Sequence, residues 1–233
     1  MVWTAVVFVG VALGAFLAAP ARGAEFRAGT GRVRITPDGP VWLAGYASRS
    51  KLSEGVAADL YARTLAVHDG TQWTVITAVD VIDFDPVLSG SIKELVRKRH
   101  GVPQERFLLV GSHTHSGPEV STWGTSVLRD PDKDRRRREY ADLLRRRIVE
   151  SVGMALRSGS RAHLEFARGE ARIGTYRRVQ RGDGTWGFGA DQAGPTDPDL
   201  PVLRVTGNDG RLLAVVFGHA CHGTSITHGN EGF

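Results

Sequence analysis

Phe107-Leu108-Leu109-Val110-Gly111-Ser112-His113-Thr114-His115-Ser116-Gly117-Pro118 is a short apolar run that feeds directly into a small, kinked loop carrying two histidines. The run reads as a buried strand. If the extended backbone continues into the loop, alternate side chains share a face and His113 and His115 project together from the strand end. Two imidazoles held on one side are a start for a metal site or an acid–base pair. The flanking Ser, Gly and Pro suit a tight turn at the mouth of a cleft.

The same arrangement recurs later. Val202–Thr206 and Leu212–Phe217 flank Asn208-Asp209-Gly210, a hairpin signal, and the second strand runs into Gly218-His219-Ala220-Cys221-His222-Gly223-Thr224-Ser225. Strands therefore feed histidine loops twice. A metal such as zinc needs neutral imidazoles, with three protein ligands usual in a catalytic site. One ligand from each loop, His113 with His222, is the pair this pattern favours. Taken singly, His219 and His222 read equally well as hydrogen-bonded packing residues.

Working outward, Gly31–Pro37 reads as a strand ended by proline, and Val41–Tyr46 as an apolar stretch entering a Ser/Arg loop. Leu65–His68 and Trp73–Val79 flank Asp69-Gly70, a second hairpin signal. Asp85-Pro86 opens a helix that ends at Gly101, with Asp as N-cap and Pro in the first turn. A second helix spans Asp130 to Leu156, a strand begins at His163–Phe166, and residues 174–200 read as a long structured loop. Hairpins mixed with helices argue against an all-parallel doubly wound sheet. The fold class expected is α/β or α+β, with mixed or antiparallel sheets flanked by helices.

The chain has 233 residues, 41% apolar and 24% charged, with 29 glycines, one cysteine and a net charge of +5. A lone Cys221 excludes an internal disulfide framework. Arg135–Arg138 and Arg145–Arg147 carry much of the positive charge. They fall on the polar face of the second helix, opposite Tyr140, Leu143, Leu144, Ile148 and Val152, so a solvated face is expected rather than a nucleic-acid interface. Contact with an anionic membrane surface is the lesser alternative. Val2 to Ala19 is almost unbroken apolar sequence, followed by Pro20-Ala21-Arg22-Gly23-Ala24, which offers a small-residue cleavage site at Ala19-x-Ala21 or Ala21-x-Gly23. Residues 1–23 thus read as a signal peptide or N-terminal anchor, and residues 24–233 as an exported domain, secreted or periplasmic.

Asp80, at the end of the 73–79 run, is a candidate to orient a ligand imidazole or to cap the next loop. Arg177 and Arg178 could donate to a carbonyl or oxyanion. No Gly-x-Ser-x-Gly elbow and no His-Glu-x-x-His helix is present, and Ser116-Gly117-Pro118 departs from a metallo-β-lactamase pattern.

From about Ala28 onward the chain resembles the neutral/alkaline (non-lysosomal) ceramidases. The resemblance is carried by Gly31–Pro37, Ala44-Gly45-Tyr46-Ala47-Ser48-Arg49, Ala78-Val79-Asp80, Gly111–Pro118, Tyr176-Arg177-Arg178, Gly194–Pro198 and Ala220–Ser225. It implies a zinc-dependent amidohydrolase acting on a ceramide-like lipid amide. It also implies His113 and His222 as zinc ligands, His115 as a catalytic hydrogen-bond donor, and Arg177 at the substrate or developing oxyanion. Tyr176 stands where the family usually has Asn, and Gly223 where it usually has Pro. The family's remaining ligands, a glutamate and a tyrosine, and a serine near the scissile amide come from beyond the later histidine. The chain is therefore expected to be the N-terminal portion of an incomplete catalytic domain. His219, His228 and Glu231 are the other residues that could complete a metal shell. The alternatives are a degenerate non-catalytic domain, or a metal hydrolase of another amide or ester.

Overall fold

The computed structural model describes residues 25–46, 49–120 and 130–223. The leader, His228, Glu231, Thr224 and Ser225 lie outside these.

Among these residues nine strands and two α-helices follow in the order β1 (Arg27–Arg34), β2 (Tyr61–His68), β3 (Trp73–Val79), α1 (Pro86–His100), β4 (Phe107–Gly111), α2 (Pro131–Arg157), β5 (Ser160–Glu170), β6 (Tyr176–Gln180), β7 (Trp186–Asp191), β8 (Asp199–Gly207) and β9 (Leu212–Phe217). Seven strands form one sheet in the order β4-β3-β2-β1-β5-β8-β9, while β6 and β7 form a separate hairpin. Only β3 and β4 run parallel, so the sheet is mixed and the fold is α+β as expected. Among the described residues no helix is long and apolar enough to cross a membrane.

Local chemistry places the boundaries. Both hairpin glycines, Gly70 (φ 97°) and Gly210 (φ 80°), take the left-handed conformation their turns require. The Asp85 side chain accepts from the Leu88 amide, and Gly101 (φ 71°) ends α1. Asp130 caps α2 by accepting from the amides of Asp132 and Lys133. Residues 174–200 are not one loop as expected. Tyr176–Gln180 pairs with Trp186–Asp191 across the Asp183-Gly184 turn, and β8 already starts at Asp199. The alternation there is interrupted by glycine and arginine, which hid the strands.

Both helices cover one face of the β1–β4 half of the sheet. Leu88, Ile92 and Val96 of α1 join Tyr140, Leu144, Ile148 and Val152 of α2 in the main core, with Val75, Val79 and Phe107 beneath them. The α2 backbone touches β1 directly. A β-carbon on Gly29 would lie 2.1 Å from the Ala155 carbonyl, and one on Gly31 would lie 2.1 Å from the Ser151 carbonyl. Polar groups inside this contact are satisfied: the Thr64 hydroxyl bonds those of Thr77 and Ser151 at 2.8 Å each, and Tyr140 donates to the Ile35 carbonyl. Burial pushes the Tyr140 phenol well above its usual pKa.

Of the arginines on α2, Arg135, Arg136, Arg145 and Arg147 form the expected solvated face, each paired to a carboxylate. Arg137 departs from it. It is 7% exposed and bonds Glu119 and Asp134, which neutralise the charge that burial would otherwise penalise.

Replacing Gly31 by Ala should lower stability by about 1–3 kcal/mol, because the added methyl meets a helix carbonyl that cannot rotate away. Urea unfolding of Gly31→Ala measures this, and an unchanged midpoint would contradict the backbone contact.

Candidate metal centre

β3 and β4 end side by side, with Val79 opposite Gly111. The strand does not continue into the histidine motif as the sequence suggested. Beyond Gly111 the chain turns, and His113 (φ 52°) and Ser116 (φ 67°) both take left-handed conformations. The two imidazoles are therefore brought together by a loop, not by the pleat of a strand.

Backbone carbonyls leaving β3 hold that loop. The Ser112 amide donates to Val79, the Thr114 amide to Val81, and His113 Nδ1 lies 3.2 Å from the Ile82 carbonyl. A carbonyl only accepts, so Nδ1 carries the hydrogen and Nε2 presents its lone pair. From the other side, Leu43 bridges to Pro118, the Ala44 amide donates to Gly117 and the Ser116 amide donates to Ala44. Gly45 has φ 101°, and a β-carbon there would sit 2.6 Å from Cγ and Nδ1 of His115. The Tyr46 ring meets His115 edge-on at 4.9 Å, and Arg49 donates to the Ser116 hydroxyl at 2.5 Å. Sequence reading gave Gly45, Tyr46 and Arg49 no role. The signals were a glycine breaking an apolar run and the place of all three in the Ala44–Arg49 segment of the resemblance.

His222 arrives from the opposite edge of the sheet. At about 4.8 Å per strand step, a flat sheet would hold the β4 and β9 edges roughly 29 Å apart. Yet the ring centroids of His113 and His222 are 4.8 Å apart, and those of His115 and His222 are 4.7 Å apart. The sheet closes this distance because β5 joins β1 through only Arg27–Arg161 and Ala28–Ser160, which frees the β5-β8-β9 wing to swing round. Among the described residues His219 is not part of the cluster, which consists of His113, His115 and His222; its Nδ1 lies 3.3 Å from the Asp199 carbonyl.

Arg177 also reaches the cluster. The register of the β6–β7 hairpin shifts between Tyr176 and Arg178, which breaks the pleat at Arg177. Its guanidinium donates to His222 Nδ1. A guanidinium has no acceptor, so the hydrogen of a neutral His222 is on Nε2 and points at His115 Nε2, 2.8 Å away. That leaves the His115 hydrogen on Nδ1, a buried atom with no partner among the described residues. Asp80 plays no part in orienting these rings. It accepts from the Tyr61 amide and from Arg63, and so ties β3 to β2.

Burial, then the charge of the neighbouring groups, holds the pKa values of His115 and His222 below the ordinary imidazole value. Neutral imidazole is the form that binds metal. Among the described residues, His113, His115 and His222 form a group whose ligand atoms lie within 4.8 Å of one another. This donor set fits a divalent cation of the kind that takes imidazole nitrogen. A cavity of about 370 Å³ adjoins the cluster, with Arg177 and His222 in its wall beside the apolar Ile173, Tyr176, Pro195 and Ala220.

The model of the family described as neutral/alkaline non-lysosomal ceramidase, N-terminal, matches residues 26–232. The neutral ceramidase of Pseudomonas aeruginosa has a similar structure, with a TM-score of 0.72 at 22% identity over 90% of this chain and 34% of that one. A ceramidase complexed with C2 gives 0.71 at 23% identity over 90% and 33%. The chain thus spans about a third of the length of these solved proteins. No curated protein matches it in sequence.

Gly45→Ala should keep the fold but displace the His115 ring, since both the positive φ and the lack of space oppose a methyl. The His115 ring resonances should shift in NMR spectra, with a stability loss of roughly 1–2 kcal/mol. Unmoved resonances would show that Gly45 does not set the ring.

Proposed function

The chain belongs to the neutral/alkaline non-lysosomal ceramidases, and from that premise we propose that it is the N-terminal part of a zinc-dependent hydrolase of a ceramide-like lipid amide. The observation that carries the reading is the meeting of His113, His115, His222 and Arg177 from three separate segments of the chain. Their coverage of only a third of the solved ceramidases supports a longer catalytic domain, which would supply the remaining groups. The apolar stretch Val2–Ala19 supports export to the periplasm or medium.

His113 would hold zinc through Nε2, the atom its bond to Ile82 leaves open. His222 is the second ligand, and turning its ring to the metal gives up its contacts with both Arg177 and His115. Bound there, zinc supplies a Lewis acid for the amide carbonyl and lowers the pKa of a coordinated water. Once His222 turns away, His115 Nε2 faces the cluster, and a proton held on that atom can donate to the oxygen that gains charge in the transition state. Arg177, released from His222, would donate to the same oxygen through its planar fork. The adjoining cavity mixes apolar Ile173, Pro195 and Ala220 with polar Thr175, Thr196 and Asp197, so it suits the polar amide end of the substrate together with the first part of a hydrocarbon chain. The products would be a fatty acid and a long-chain amino alcohol.

Zinc content of the purified chain tests the ligand assignment. One zinc per chain is expected, and His113→Ala and His222→Ala should each weaken binding by about tenfold or more. Unchanged zinc in both variants would overturn it. Extended through the downstream segment, the protein should release fatty acid from a ceramide, and His115→Ala should slow that release by about 10²–10³-fold while retaining zinc.

A further inference from the structure

A groove of about 460 Å³ lies between α1 and α2, away from the histidine cluster. Its rim carries Arg99, Arg145, Arg146 and Arg157, its floor is Leu95, Val149 and Gly153, and His100 bridges the helices through Val149 at 2.9 Å. On these two helices most basic side chains are neutralised by a carboxylate. Arg97 and Lys98 pair with Glu94, Arg135 and Arg136 with Asp132, Arg137 with Glu119, Arg145 with Asp142, and Arg147 with Glu150. Among the described residues, the three exceptions on the groove, Arg99, Arg146 and Arg157, have no ion pair. Arg99 and Arg157 end their helices, where the last carbonyls favour cations, whereas Arg146 sits mid-helix without that compensation. The one acid on the groove, Glu150, is already held by Arg147.

Gly153 makes room for this convergence. A β-carbon there would lie 2.8 Å from the His100 ring and 3.1 Å from Nη1 of Arg157, so the imidazole and the guanidinium lean over the same bare floor. Three guanidiniums around a pocket, with no ion pair among the described residues, match the planar, multidentate recognition of a phosphate group. Leu95 in the floor is 40% exposed and adds apolar surface beside the charge.

We propose that the groove between α1 and α2 binds a phosphate group, presented either by a lipid headgroup or by a small free phosphate. This does not rest on the metal reading, and zinc content need not change with it.

Two probes distinguish the sources: inorganic phosphate followed by NMR of the full chain, and sedimentation with vesicles of phosphatidylglycerol against vesicles of phosphatidylcholine. At least one probe should bind, and Arg146→Gln should weaken that binding by about tenfold, the loss expected of a charge-assisted hydrogen bond. Arg157→Lys, which keeps the charge but loses the fork, should also weaken it. Arg138→Gln removes an equal charge from α2 outside the groove and should change binding less than twofold. Phosphate binding would identify a small-molecule site, and vesicle binding alone a membrane contact. Equal losses in Arg146→Gln and Arg138→Gln, or no binding of either probe, would overturn the proposal.

Discussion

The histidine loop depends on a cradle of three backbone carbonyls, those of Val79, Val81 and Ile82, which the chain exposes as it leaves β3. They are available because β4 runs parallel to β3 and ends level with it, and because Gly111 leaves space for the crossing segment. A β-carbon at Gly111 would lie 3.1 Å from the Val81 carbonyl. Carbonyls only accept, so the cradle orders the loop and also sets which nitrogen of His113 is open. A sheet edge thus becomes a device that presents a lone pair.

The second half of the site comes from sheet curvature. Six strand pairings separate β4 from β9, and in a flat sheet they would hold the loops after these strands far apart. The two-residue seam between β1 and β5 is the weak point that lets one half turn toward the other. On the rigid side, α2 lies against the glycines of β1 and fixes the β1–β4 half. Arg177 then enters from a separate hairpin, re-aimed by a register shift. Donation runs from Arg177 to His222 to His115 and stops at a buried Nδ1 with no acceptor. That unfinished chain marks where a metal at His222 would reset the protons.

Much of this was legible in the sequence. Asp85-Pro86 and Gly101 mark α1, Asp130 marks the start of α2, and Gly70 and Gly210 mark their turns, because caps and positive-φ turns are local chemistry. The pairing of His113 with His222 was legible from two strands that each feed a histidine loop, while the roles of His115 and Arg177 beside them came from resemblance, since no spacing rule joins segments so far apart. What stayed hidden was set by tertiary geometry. The two left-handed residues in the histidine loop, the Gly45–Tyr46 turn against His115, the β6–β7 hairpin within 174–200 and the engagement of Asp80 by Arg63 all follow from neighbours distant in sequence. Arg137 is another case: the eight arginines of α2 look alike in the sequence, yet the one facing Glu119 is buried.

The central claim is that His113 and His222, and not His115, hold a metal between the two loops. Anomalous diffraction at the zinc edge from crystals grown with zinc tests it directly. The account predicts one peak at about 2.0–2.1 Å from Nε2 of His113 and from a ring nitrogen of His222, with His115 outside the coordination shell. A shell that includes His115, or zinc found only elsewhere on the molecule, would contradict it.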